Sequence, residues 1–70
     1  MTRMEFKRRQ QRWTQTELAF YSRITQGEVS RFERRKAIPS PRHAERIGRA
    51  LGVPPATLLE EVVGDAATCA

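Results

Sequence analysis

Apolar residues recur along this chain at helical spacings, and no stretch of four or more residues alternates apolar and polar side chains with β-branched enrichment. Met4 to Arg12 is rich in Lys, Arg and Gln, all good helix formers. It predicts a first helix with Met4 and the stem of Lys7 inward and Phe6 at the margin. Thr14-Gln15-Thr16-Glu17 has the form of a capping box, in which the Thr14 hydroxyl accepts from the Glu17 N–H and the Glu17 carboxylate accepts from Thr14 N–H. Trp13 before the box and Leu18 after it are spaced for a hydrophobic staple, so a second helix runs to about Ser22. Thr25-Gln26-Gly27-Glu28 repeats the pattern between Ile24 and Val29, and Phe32 extends the apolar face of a third helix to about Arg34.

Ser40-Pro41 opens a fourth helix, with Ser as N-cap and Pro at the first helical position, where its missing N–H costs nothing. Ala44, Ile47 and Leu51 share one face of it, and Gly52 is its stop. Pro54-Pro55 predicts a fifth, short helix bearing Leu58, Leu59, Val62 and Val63. Residues 64–70 have nothing to bury and are expected to form a disordered tail. The expected fold is therefore all-α, a compact five-helix domain over residues 1–63 with strands absent.

Length and composition narrow the function. At 70 residues the chain has room for one small core, and a large cleft or a cofactor-binding sheet is not expected. Cys69 is alone, so no internal disulfide forms, and it reads as an inert thiol in the tail of a cytoplasmic protein. No apolar run approaches the roughly 20 residues that cross a bilayer. His43 lacks a second ligand for a metal and is expected on the exposed first turn of the fourth helix, beside phosphate. Ser30 and Ser40 lack the partners of a nucleophile. Neither an enzyme nor a cofactor, metal or small-molecule ligand is expected.

The net charge of +5 is unevenly placed: residues 1–36 carry +6 and the remainder −1. That asymmetry suggests a polyanion-facing half joined to a structural or pairing half. Two capped helices separated only by Ser22 to Ile24 must cross steeply, as in a helix-turn-helix. Ala19 is small enough for the crossing, and Leu18, Ile24, Val29 and Phe32 fix its angle. The outward face of the third helix then carries Gln26, Gly27, Glu28, Ser30 and Arg31, mostly side chains able to address base edges. Gln15 and Gln26 each sit just inside a helix N-terminus, which favours phosphate.

Trp13-Thr14-Gln15-Thr16-Glu17-Leu18-Ala19 and Ile24-Thr25-Gln26-Gly27-Glu28-Val29-Ser30-Arg31-Phe32-Glu33-Arg34 resemble the core of the Cro and phage-repressor (XRE-type, lambda-repressor-like) helix-turn-helix family. Pro39-Ser40 and Ala50-Leu51-Gly52-Val53 resemble that family's fourth-helix boundaries, so the resemblance spans about Met4 to Val62. It implies double-stranded DNA as partner, with base readout from Gln26, Gly27, Glu28 and Arg31. Gln15, Ser30, Arg35, Lys36, Arg42 and His43 would meet phosphate, Gln15 would brace Gln26, and Arg8 would pair with Glu33. Glu28 stays open between a cap and an acceptor for cytosine N4. Trp13, Phe20 and Tyr21 stay open between packing and stacking on bases, with packing favoured.

Three departures from the family matter, at Arg23 and Arg35, at Gly27 and at Glu28. Arg23 and Arg35 stand where it often has Gly, and positive φ there would cost roughly 1–2 kcal/mol. Gly27 removes a side chain from a position that often reads a base. Leu58, Leu59, Val62 and Val63 offer two stripes, one to close the core and one for a homodimer seam. The expected function is a dimeric transcriptional repressor on a pseudo-palindromic operator, nucleoid-associated in the cytoplasm. Phage repressor, restriction–modification controller and mobile-element or toxin regulator remain open as settings. The alternative is an antitoxin or protein-interaction module whose main task is to bind a partner protein.

Overall fold

A computed structural model describes residues 1–62 of the chain. Four α-helices follow one another: α1 (Arg3–Gln10), α2 (Gln15–Ser22), α3 (Gln26–Glu33) and α4 (Pro41–Leu51), with a single 3₁₀ turn at Pro55–Thr57. Each α-helix is N-capped by a hydroxyl side chain, from Thr2, Thr14, Thr25 and Ser40. At Thr14 and Thr25 the capping box closes in both directions. Met4, Leu18, Ala19, Val29, Phe32, Ile47, Leu51 and Leu58 form one buried core to which every helix contributes.

Three helices end alike. After α1, α2 and α3 the chain passes through a left-handed residue, Arg12, Arg23 or Arg35, with φ of 61°, 60° and 58°. The next N–H returns to a carbonyl five residues back: Trp13 to Arg8, Ile24 to Ala19, and Lys36 to Arg31. These are Schellman caps built on arginine, and only α4 uses the expected glycine, Gly52, at φ 74°. Another glycine, Gly48, permits a close approach, since a Cβ there would lie 2.6 Å from the Val53 carbonyl oxygen.

The expected fifth helix is absent from the described residues. A helix would give the Val62 N–H to the Leu58 carbonyl. Val62 N–H instead reaches Met1 O at 2.8 Å, and the Leu58 carbonyl accepts from Met4 N–H at 2.9 Å. Arg3 N–H takes the Glu60 carbonyl at 2.9 Å, so the first turn of α1 finds acceptors that a fifth helix would have consumed. Pro54 and Pro55 supply no amide donors, and Pro54 itself is extended, at ψ 136°. The segment therefore runs past the N-terminal residues, with an isolated bridge between Thr2 and Glu61. The helical dimer seam is corrected with it: Leu58 is 1% exposed within the core, Leu59 packs against that core, and Val62 is half-buried in extended chain. Val63, the tail 64–70 and Cys69 lie outside the described residues.

On α1 the inward residues are Met4 and Arg8, with Lys7 only half-buried. Trp13 is half-buried against the core and stacks on Tyr21, ring centroids 4.6 Å apart.

Candidate nucleic-acid interface

Gln26 begins α3, and its amide is held by a chain of hydrogen bonds that starts inside the protein. Arg8 Nε and Nη2 donate to the two carboxylate oxygens of Glu33 at 2.7 and 3.2 Å. The Arg8 and Glu33 side chains are 11% and 3% exposed, so this is a buried, two-pronged ion pair. Arg8 Nη1 also donates to the Trp13 carbonyl at 2.7 Å, which fixes the chain between α1 and α2. Gln15 Nε2 donates to Glu33 Oε1 at 3.0 Å, and Gln26 Nε2 donates to Gln15 Oε1 at 2.7 Å.

An ionised carboxylate only accepts. Glu33 therefore requires the amino side of Gln15, which leaves the Gln15 oxygen to accept a hydrogen bond from the Gln26 N–H. Among the described residues Gln26 is left with its oxygen and its second N–H uncommitted at the exposed start of α3, the acceptor–donor pair that adenine N6 and N7 require.

Beyond Gln26, a Cβ on Gly27 would lie 3.9 Å from Arg31 Nη1 and from Thr25 Oγ1, so the Arg31 guanidinium lies beside the bare backbone of Gly27. Both residues are exposed, and Ser30 is half-buried. Glu28 caps: its Oε1 accepts from Thr25 N–H at 2.9 Å and from the Thr25 hydroxyl at 3.2 Å. The bond from the Thr25 backbone N–H, chiefly, holds the Glu28 carboxyl below its ordinary range, with smaller help from the Thr25 hydroxyl, His43 and Arg31 against partial desolvation.

Phosphate candidates fall into two groups. Lys36 and Arg42 are exposed, and Gln15 stands half-buried at the first position of α2. Arg35 turns away to the C-terminal segment, donating to Glu61 Oε1 at 2.6 Å and to Leu59 O at 3.4 Å. His43 is half-buried rather than exposed: its ring contacts the Ser40 hydroxyl at 3.2 Å, and Nε2 lies 3.7 Å from Glu28 Oε2. Phe32 is its neighbour, at 6.1 Å between ring centroids. Both side chains are thus occupied by protein groups.

Sequence reading missed Thr2 as a cap, Arg12 as a left-handed residue and the Glu33–Gln15 bond. Thr2-Arg3-Met4-Glu5 has the same Thr-x-x-Glu spacing as the other two boxes and could have revealed the first. No described helix is long and apolar enough to cross a membrane.

Two capped helices crossing at a short turn, with the second presenting a fixed amide and a free guanidinium, define a helix-turn-helix DNA-binding domain. A family model described as helix-turn-helix matches residues 4–58. The chain belongs to the helix-turn-helix family of the Cro and phage-repressor (XRE) type, a family of DNA-binding regulators. Among curated proteins and among solved structures, no match is found.

Proposed function

We propose that the protein is a dimeric repressor that reads a pseudo-palindromic duplex operator with α3 in the major groove. The observation carrying this reading is the chain from Arg8 through Glu33 and Gln15 to Gln26, which fixes the orientation of an exposed amide from a buried ion pair. Surface residues without a reading task have no need of such support. Gln26 takes an adenine edge, and Arg31, over Gly27, reaches a guanine or a phosphate. Gln15, Ser30, Lys36 and Arg42 hold the backbone, and Glu28 acts as cap rather than reader.

The dimer seam moves from the supposed fifth helix to an apolar groove of about 490 Å³ between the start of α4 and the 3₁₀ turn. Ile38, Pro39, Pro41, Ala44, Pro55 and Leu59 line it, and Ile38 is 83% exposed. Reading two half-sites one helical turn apart requires that a two-fold axis there set the two copies of α3 roughly 34 Å apart. Occupancy of the operator then excludes polymerase or a competing activator.

Selection of bound duplexes from a random pool is the test. A two-fold symmetric motif with adenine under Gln26 is the expected result. Lack of any enriched motif, together with tight capture of a co-encoded protein, would replace this reading with the partner-binding one, for which Phe20 and Tyr21, 77% and 54% exposed on α2, are the surface.

A further inference from the structure

A cleft of about 420 Å³ opens between the end of α2 and the outer side of α4. Its size lies within the roughly 300–1,000 Å³ of small-molecule sites. Arg42, Arg46 and Arg49 line it at i, i+4 and i+7 along α4, and Arg23 faces them from the left-handed residue that ends α2. Among the described residues none of these four guanidinium groups is in an ion pair. Among the described residues Glu45 is the one acid lining the cleft, which leaves their formal charge there at +3. No residue of α3 lines it, so it is separate from the base-reading surface.

Two further features distinguish this cleft from a solvated basic surface. Ser22 lines it and is fully buried, and its Oγ has no hydrogen-bond partner in the described structure. A buried hydroxyl left unsatisfied is costly and needs an explanation. The Ser22 hydroxyl would donate a hydrogen bond to an oxyanion only if the wall of the cleft opened to admit one, because the Oγ itself has no accessible surface. Tyr21, on the same wall, is braced by Trp13 at 4.6 Å and edge-on by Phe20 at 5.3 Å, so the wall is stiff although exposed.

We propose that this cleft binds a small phosphate-bearing anion through a diphosphate unit, either free pyrophosphate or the diphosphate of a nucleotide. Guanidinium forks match phosphate oxygens two at a time. A ligand with two linked phosphates offers one oxyanion group to the α4 arginines and another to Arg23, where a single phosphate offers one in all. Its charge matches the +3 of the cleft. Glu45 then accepts from a ligand hydroxyl, a protonated phosphate oxygen or one of the cleft arginines.

The experiment is an amide chemical-shift titration of the full chain with pyrophosphate, ADP, orthophosphate and, separately, a short random-sequence duplex, at constant ionic strength. Saturable shifts with pyrophosphate and ADP at Tyr21, Ser22, Arg23 and residues 46–50 are expected, with orthophosphate weaker by about tenfold. Arg46→Ala and Arg49→Ala should each weaken pyrophosphate by about tenfold while keeping the dispersed spectrum of the folded domain. Arg31→Ala should leave pyrophosphate affinity unchanged. ADP and pyrophosphate binding alike would assign recognition to the diphosphate itself, and tighter ADP binding would add its nucleoside; both support the site. Shifts confined to α3, titrations that never saturate, equal affinity for orthophosphate, or indifference to both α4 substitutions would overturn it. So would random duplex moving the same cleft amides more strongly than pyrophosphate, which would make the cleft a second DNA-backbone contact.

Discussion

At the α3 end of the domain, Arg8 is gripped by Glu33, Glu33 holds Gln15, and Gln15 holds Gln26. Between α2 and α4, Arg23, Arg42, Arg46 and Arg49 line a common cleft in which Glu45 is the one acid among the described residues. Both regions are basic, yet the arginine in the first is spent on orientation, while those in the second are in no ion pair among the described residues. Local charge alone therefore does not say where an anion sits. What distinguishes the regions is whether each cation already has a protein acceptor. The sequence tally of +6 before residue 37 and −1 after it hides this, because three of the four cleft arginines belong to the half with the lower charge.

Removing Glu33 breaks the first region most severely. Glu33→Ala leaves Arg8 buried without its counter-ion and should cost about 3–5 kcal/mol, most of the stability of so small a domain. Urea unfolding measures it, and the double change Arg8→Met with Glu33→Leu should recover most of the loss, since a well-packed apolar pair can replace a buried ion pair. A loss below about 1 kcal/mol would place the pair with exposed salt bridges and remove the rigid foundation under Gln26.

On the α4 side the comparable weak point is Gly48. Gly48→Ala sets a methyl 2.6 Å from the Val53 carbonyl oxygen, a backbone atom that cannot swing aside. Overpacking of this kind should destabilise the fold by about 1–3 kcal/mol in the same unfolding experiment. Gln15→Ala tests recognition, with a stability loss of about 1.5–3 kcal/mol expected from its bond to the buried Glu33 carboxylate. On the proposed reading it frees the Gln26 amide and loses about 1–3 kcal/mol of discrimination at one base pair. Competition between the selected operator and single-base variants measures that loss. Equal weakening on every sequence would limit Gln15 to phosphate.

How much of this was legible beforehand follows from the range of each interaction. The Thr14, Thr25 and Ser40 caps were readable because a cap is a contact across three residues, and a fixed spacing records it. Arg8 and Glu33 are 25 residues apart, and only the family resemblance suggested that they meet. The fifth helix was misread for the same reason in reverse. Local spacing favoured it, while the competing acceptors and donors came from Met1, Arg3 and Met4 at the other end of the chain. The cleft was invisible because Arg23 and the α4 arginines share no local pattern. Its proposal also sets aside the expectation of no small ligand, which rested on length alone.

The arginine caps offer a gentler comparison of the two regions. Arg12, at the end of α1, and Arg23, in the cleft, hold nearly the same left-handed φ. Arg12→Gly and Arg23→Gly should each stabilise the fold by about 1 kcal/mol by relieving that strain. For a domain of this size that raises Tm by roughly 4–8 °C. Their effects part at the cleft, where only Arg23→Gly should weaken pyrophosphate. Equal indifference of pyrophosphate to both substitutions would reduce Arg23 to an ordinary cap residue.

The smallest expected effect concerns Glu28, where α3 and α4 meet. Its carboxylate accepts the Thr25 N–H at the start of α3, and its second oxygen lies 3.7 Å from His43 Nε2 on α4. The Thr25 bond holds the carboxyl below its ordinary range in the folded protein. A depressed folded-state pKa means that the stabilisation is complete above the unfolded value and fades as pH falls through the folded one. The stability gap between wild type and Glu28→Gln should therefore be largest near neutral pH and close through the acid range. Glu61, whose carboxyl is lowered by its bonds from the Met1 ammonium and Arg35, has the same sign, but it is present in both proteins and cancels in the difference. A gap that stays constant down to the acid limb would mean that the cap works by shape, since Gln can make the same hydrogen bond without the charge.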